Sequence, residues 1–134
     1  MPGKAFLDTN ILIYAVGDDD VRRAVADALI VQDAVVSAQV LAETASVLGR
    51  KLRLPALSVE QILLSIASRV LCEPLTSETV LAAVRLGGRF GYSHYDSQII
   101  AAALAAGCTV LYSEDMQHGQ LINGTLTIVD PFAA

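Results

Sequence analysis

Short apolar runs alternate along this chain with longer segments whose apolar positions recur at helical spacing, and this alternation constrains the fold more than any other feature. The runs are Ala5-Phe6-Leu7, Ala34-Val35-Val36, Val70 to Leu75, Thr109 to Tyr112 and Leu126 to Val129. Strands separated by helices pair in parallel through right-handed crossovers, so the pattern predicts an α/β fold on a short, mainly parallel sheet of about five strands. Such a sheet is covered by helices and built from aliphatic residues. The composition agrees: hydrophobic residues make up 54% of the chain and aromatics only 5%, which leaves Ala, Val, Leu and Ile to form the core. The 134 residues predict one domain, 1–134, and the apolar surplus leaves material for a subunit interface.

Between the runs, caps and breakers mark the helices. Thr9 is placed to cap a helix to about Val16, which Gly17 and Asp18-Asp19-Asp20 end. Those acids precede a helix of about Val21 to Gln32, where they suit the positive end of the helix dipole. Ser37 is placed to cap a helix to about Leu52, and Ser58 with Gln61 has the spacing of a capping box for a helix of about Val59 to Arg69. Thr76 or Ser77 opens a helix to about Leu86, with Gly87-Gly88 as its stop, and Ser93 opens another from His94 or Tyr95 to Ala106, stopped by Gly107.

Several function classes are disfavoured at this level. The longest uncharged apolar stretch, Ile99 to Tyr112, is interrupted by Gly107, Cys108 and Thr109 and is shorter than a membrane span, so no membrane association is expected. Met1-Pro2-Gly3-Lys4 leads directly into a strand-like run without the features of a secretory signal, which makes a cytoplasmic location the default expectation. Cys72 and Cys108 form no CxxC pair and no cluster with the two histidines, so zinc is not expected and both read as small buried hydrophobes. A formal net charge of −5 argues against broad electrostatic binding of nucleic acid. The one notable basic cluster, Arg50-Lys51-Arg53, is a weak candidate for a contact with a phosphate backbone.

Much of the negative charge stands where the pattern predicts burial. Asp8 closes the first apolar run and Asp115 follows the fourth, so both lie at the carboxyl ends of strands, where parallel sheets place their ligand sites. Glu43 shares a helical stripe with Val40 and Val47, and Asp96 begins the face that continues through Ile99, Ile100, Ala103 and Leu104. Carboxylates brought together raise each other's pKa unless a cation is present. An all-oxygen set suits a hard divalent ion, and a pair of such ions can serve both the attacking and the leaving oxygen in phosphodiester hydrolysis.

The segments Phe6-Leu7-Asp8-Thr9-Asn10-Ile11-Leu12, the mid-helix Glu43, Tyr95-Asp96-Ser97-Gln98-Ile99 and Ser113-Glu114-Asp115 resemble those of PIN-domain ribonucleases, in particular the toxins of VapBC-type toxin–antitoxin pairs. The resemblance covers essentially the whole chain. It implies a three-layer α/β/α fold with the first and fourth strands adjacent. It also implies a Mg2+-dependent endoribonuclease, with Mn2+ as the alternative ion, an RNA substrate, a cognate antitoxin and a homodimer. Asp8 and Asp96 then read as the principal metal ligands and catalytic acids, with Glu43 and Asp115 completing the acidic site. Thr9, Asn10 and Ser113 match positions that support the acids by hydrogen bonds.

Glu114 competes with Asp115 for the fourth place, and the resemblance favours Asp115, which stands two residues after Ser113 as the acid of PIN domains does after its Thr or Ser. Tyr95 replaces the commoner Trp, and His94 beside it, like His118, reads first as an ordinary surface histidine. Two other functions compete. A magnesium-dependent phosphatase of the haloacid-dehalogenase type also has an Asp after its first strand, but it wants a second Asp where this chain has Asn10. A non-catalytic PIN-like module that binds RNA or a partner would be favoured by a missing acid, and all four are present.

Overall fold

Six strands form one sheet in the order β3-β2-β1-β4-β6-β5. The structure, a computed structural model, describes residues 4–133, and the opening Met1-Pro2-Gly3 of the signal argument lies outside them. In chain order the elements are β1 (Lys4–Leu7), α1 (Thr9–Ala15), α2 (Asp20–Leu29), β2 (Val35–Ser37), α3 (Ala38–Arg50) and α4 (Ala56–Ala67). They continue as β3 (Leu71–Glu73), α5 (Ser77–Phe90), α6 (His94–Ala105), β4 (Cys108–Tyr112), β5 (Leu121–Ile122) and β6 (Leu126–Val129). The expected α/β class holds, and all pairings are parallel except β5 with β6.

The central strands carry the core. Phe6, Leu7, Val35, Leu111 and Ile128 are fully buried, and Ile11, Leu12, Ile99 and Ile100 bury their side chains in the same core. Burying a side chain of this size contributes on the order of 1.5–3 kcal/mol, so this apolar face holds the acids at the strand ends in place. Among the described residues, no helix is long and apolar enough to cross a membrane.

The sheet is built outward from β1, with β2 and β3 on one side and β4 and β6 on the other. Chain order therefore reverses between β1 and β4, the switch point beyond whose carboxyl ends ligands bind in open parallel sheets. The ladder runs one residue past both strands. Asp8 N donates to Tyr112 O at 3.0 Å and Ser113 N donates to Val129 O at 3.0 Å, which fixes the backbone of two of the residues singled out above.

Several expectations are corrected. The sheet has six strands because β5 pairs with β6 through a turn in which Asn123 and Gly124 both have positive φ. That Asn-Gly pair is a hairpin signal. Helix α4 starts at Ala56 behind Pro55, and no side chain caps it, so Ser58 and Gln61 are not a capping box. Helix α5 runs through Gly87-Gly88 to Phe90 and stops at Gly91, whose φ is 81°. Gly87 serves packing: a Cβ there would stand 3.1 Å from Ser97 Oγ and 3.3 Å from Tyr92 O. Asp8, not Thr9, caps α1. Cys72 is exposed while Cys108 is buried, since β3 is the sheet edge.

Candidate active site

Four separate elements deliver the acids to one cleft. Asp8 leaves the end of β1, Glu43 lies in the second turn of α3, Asp96 in the first turn of α6, and Asp115 on the segment leaving β4. All four line a cleft of about 530 Å³, together with Thr9, Asn10, Tyr14, Lys51 and Glu114. Of the basic cluster, only Lys51 reaches it; Arg50 and Arg53 are exposed outside its lining.

Asp8 is the most enclosed of the four, with 5% of its surface exposed. Its Oδ1 accepts from Thr9 N at 2.7 Å, as a helix cap, and its Oδ2 accepts from Ser113 Oγ at 2.8 Å. Burial pushes its carboxyl up to about 6, against the pull of those two hydrogen bonds and with help from the charges of Asp96 and Glu43. Asp96 is half-buried and also held above its ordinary value, first by burial and then by the charge of Asp115, while Ser93 opposes the shift.

The supporting residues connect one acid to the next. Thr9 Oγ1 donates to Glu43 Oε2 at 2.9 Å, so the residue after Asp8 holds the acid of α3. Ser113 Oγ donates to Asp8 and accepts from Asp115 N at 3.2 Å. Asn10 Nδ2 donates to Asp115 Oδ2 at 3.2 Å, and Asn10 Oδ1 accepts from Glu114 N at 3.1 Å. Position 10 thus clamps the exit of β4 with both ends of its amide.

Glu114 and Asp115 have different surroundings. Glu114 accepts from Tyr14 OH at 3.0 and 2.8 Å and lies 4.0 Å from Arg22 Nε. Its carboxylate is therefore engaged by neighbours at the cleft wall. Asp115 is exposed, accepts from Asn10 Nδ2, and is the acid whose charge acts most on Asp96, ahead of Glu43. Asp18-Asp19-Asp20 is a capping segment: Asp19 accepts from Arg22 N at 3.1 Å and caps α2. His118 Nδ1 accepts from Asp130 N at 2.9 Å, well outside the cleft lining.

Two residues of this environment escaped the sequence reading. Gln39 Nε2 donates to Glu43 Oε1 at 2.9 Å, and Gln98 Nε2 donates to Gln39 Oε1 at 2.9 Å. The available signal was an amide one helical turn before Glu43, and a second amide inside the apolar face of α6.

The donors that could hold a cation are carboxylate oxygens with hydroxyls and an amide beside them, a set for hard divalent ions. Among the described residues, no three His, Cys, Asp or Glu side chains converge into a ready-made cage. Mg2+ is commonly held by one or two carboxylates and keeps several waters, so an open acidic cleft with a buried, raised Asp8 fits it.

The family described as PIN domain matches residues 5–121. A toxin-antitoxin complex from Klebsiella pneumoniae is similar in fold, with a TM-score of 0.74 at 18% identity over 97% of this chain and 99% of that one. VapC20 of Mycobacterium tuberculosis, a sarcin-ricin loop cleaving toxin, has a TM-score of 0.62 at 22% identity, covering 83% of this chain and 89% of its own. VapBC2 from Rickettsia felis, bound to a promoter DNA fragment, has a TM-score of 0.62 at 20% identity, covering 84% and 88%. No curated protein sequence matches the chain.

Proposed function

The chain belongs to the PIN-domain family, and on that premise we propose that it is a metal-dependent endoribonuclease, the toxin of a type II toxin–antitoxin pair. The observation that carries this reading is the meeting of Asp8, Glu43, Asp96 and Asp115, from four elements, on one cleft. Acids gathered where burial and mutual repulsion oppose their charge are costly unless a cation joins them. The RNA-cleaving description of the tuberculosis relative supports RNA as the substrate, and the complexes among the similar structures support a cognate antitoxin as partner.

In this reading Asp8 and Asp96 are the principal ligands of Mg2+ or Mn2+, and Glu43 and Asp115 complete the site. A bound divalent ion would supply a nucleophile at neutral pH and offset the charge that develops on the phosphate. The chain's own residues do the positioning. Thr9 and Ser113 fix the carboxylates of Glu43 and Asp8, Asn10 sets the approach of Asp115, and the Ser93 cap fixes the first turn that carries Asp96. Lys51 offers a cation at the cleft to a phosphate of the substrate. Glu114, held by Tyr14, shapes the wall.

We assign the whole chain to a single PIN domain acting in the cytoplasm as a homodimer. The exposed Leu57 and Leu64 of α4 and Leu81 and Val84 of α5 offer apolar surface for a protein interface. The experiment is cleavage of total cellular RNA by purified protein with Mg2+ or Mn2+, with EDTA, and with Asp96→Asn. Cleavage that requires the ion and falls at least about a hundredfold in Asp96→Asn is expected. A folded Asp96→Asn variant that cuts as fast as the parent refutes the assignment.

A further inference from the structure

Beside the acidic cleft, a line of hydrogen-bonded polar side chains joins α3 to α6. Gln39 and Gln98 are 8% and 4% exposed, so each amide must satisfy its donors and acceptor within the protein. Gln39 Nε2 donates to Glu43 Oε1 at 2.9 Å and to Tyr95 O at 3.0 Å. Gln98 Nε2 donates to Gln39 Oε1 at 2.9 Å, and Gln98 Oε1 stands 2.6 Å from His94 Nε2. The line runs from an exposed histidine at the start of α6, through two buried amides, to a carboxylate in the cleft.

Its direction follows from chemistry. A carboxylate and a backbone carbonyl only accept, so the Gln39 end that faces both must be its NH2. The Gln39 oxygen then requires a donor, which must be the Gln98 NH2. The Gln98 oxygen in turn requires a donor, so His94 carries its proton on Nε2. Reversing Gln39 would set its oxygen against those of Glu43 and Tyr95, and reversing Gln98 alone would set its oxygen against that of Gln39. With Thr9 Oγ1 on the other oxygen, both oxygens of Glu43 are engaged, and its side chain has one orientation.

We infer that Gln39 and Gln98, terminated by His94, form a one-way hydrogen-bond relay that orients Glu43 in the acidic cleft and makes these amides positioning residues of the site. This rests on the reading of the cleft as a metal-dependent nuclease site. The relay also ties α6 to α3. Tyr95 O belongs to the residue before Asp96, so the same Gln39 amide sets the relative placement of Glu43 and the first turn that carries Asp96.

The first measurement uses the metal-free parent chain, with glutamine side chains resolved by nitrogen-15 NMR. The Gln39 amide protons exchange slowly with solvent, Glu43→Gln shifts the Gln39 resonances, and His94→Ala shifts those of Gln98 and, through it, Gln39. Fast exchange at Gln39 together with no response to Glu43→Gln overturns the relay.

The second measurement compares variants. Gln39→Leu and Gln98→Leu each weaken Mn2+ binding, read by electron paramagnetic resonance, and lower kcat on RNA, both by about tenfold or more, while KM stays near the parent value. Gln98→Glu, nearly the same shape but without the donor, loses as much as Gln98→Leu, and His94→Gln restores what His94→Ala loses. Folded Gln39→Leu and Gln98→Leu proteins with parental Mn2+ affinity and kcat overturn the proposal. Should those variants not fold, the NMR result on the parent stands as the test. A parent that shows no metal-dependent RNA cleavage refutes the nuclease reading, while the NMR and Mn2+ measurements still decide the relay.

Discussion

Replacing Asp8 by Asn tests the energetic argument behind the site most directly. In the metal-free protein, burial moves the Asp8 carboxyl from its ordinary 3.8 to about 6. At about 1.4 kcal/mol per pH unit, that places a penalty on the order of 3 kcal/mol on the folded state at pH 7.5, where Asp8 is ionised in both the folded and the unfolded chain. Asn keeps the shape and is equally able to cap a helix. It accepts from either Thr9 N or Ser113 Oγ but not from both through separate oxygens, a loss of about 1 kcal/mol. The expected balance is a metal-free Asp8→Asn protein about 2 kcal/mol more stable than the parent, or about 6–10 °C higher in Tm for a chain of this size.

The pH dependence follows in sign. Between 3.8 and about 6 the folded parent binds a proton at Asp8 that the unfolded chain has released, so the parent loses stability as pH rises through that window and the contribution is flat above it. The advantage of Asp8→Asn therefore shrinks towards pH 4 and is full above pH 7. Thermal melts in EDTA across this range measure it. Added Mg2+ raises the Tm of the parent and leaves that of Asp8→Asn nearly unchanged. A metal-free Asp8→Asn protein that melts at or below the parent at pH 7.5 refutes the reasoning.

Glu114→Gln and Asp115→Asn separate the neighbouring acids. Because Glu114 is engaged by Tyr14 and Asp115 faces Asp96, the first is expected to reduce RNA cleavage by less than about tenfold and the second by about a hundredfold or more, and equal losses would contradict the assignment. Gly87→Ala and Gly88→Ala should change stability in opposite directions in urea titrations. The new Cβ at 87 meets Ser97 Oγ at 3.1 Å and the Tyr92 carbonyl at 3.3 Å, whereas at 88 nothing lies within 4 Å. The expected changes are a loss of about 1–3 kcal/mol at 87 and a gain of up to about 1 kcal/mol at 88. A thiol-specific reagent at pH 8 should modify Cys72 rapidly and Cys108 only on unfolding, since Cys108 is buried with its thiol pushed up to about 11; rapid modification of both would show that β4 opens.

The strand ends were legible because a parallel sheet fixes where each strand must stop and which end binds. Asp8 could be placed from Ala5-Phe6-Leu7, and Asp115 from the run ending at Tyr112. The Asn123-Gly124 turn was equally readable and was passed over, which is why β5 was missing from the expected sheet. The end of α5 was a different case. Gly87-Gly88 has the look of a helix stop, yet the glycine at 87 accommodates α6, a contact between elements that no local pattern contains.

By itself, the sequence determined the α/β class, the strands β1, β2, β4 and β6 to within a residue or two, and which four acids stand at positions that burial would resist. Those properties follow from periodicity and from the cost of desolvating charge, both local to the chain. Only the tertiary structure decided that the acids share one cleft, that Asp8 is enclosed while Asp115 stays open, that Lys51 alone of its cluster reaches the site, and that Glu43 is held through Gln39 and Gln98. Each of these depends on distances between residues far apart in sequence, such as the 105 positions between Asp8 and Ser113. Such distances are set by the register of β1 on β4 and by the packing of α3 and α6 over the sheet.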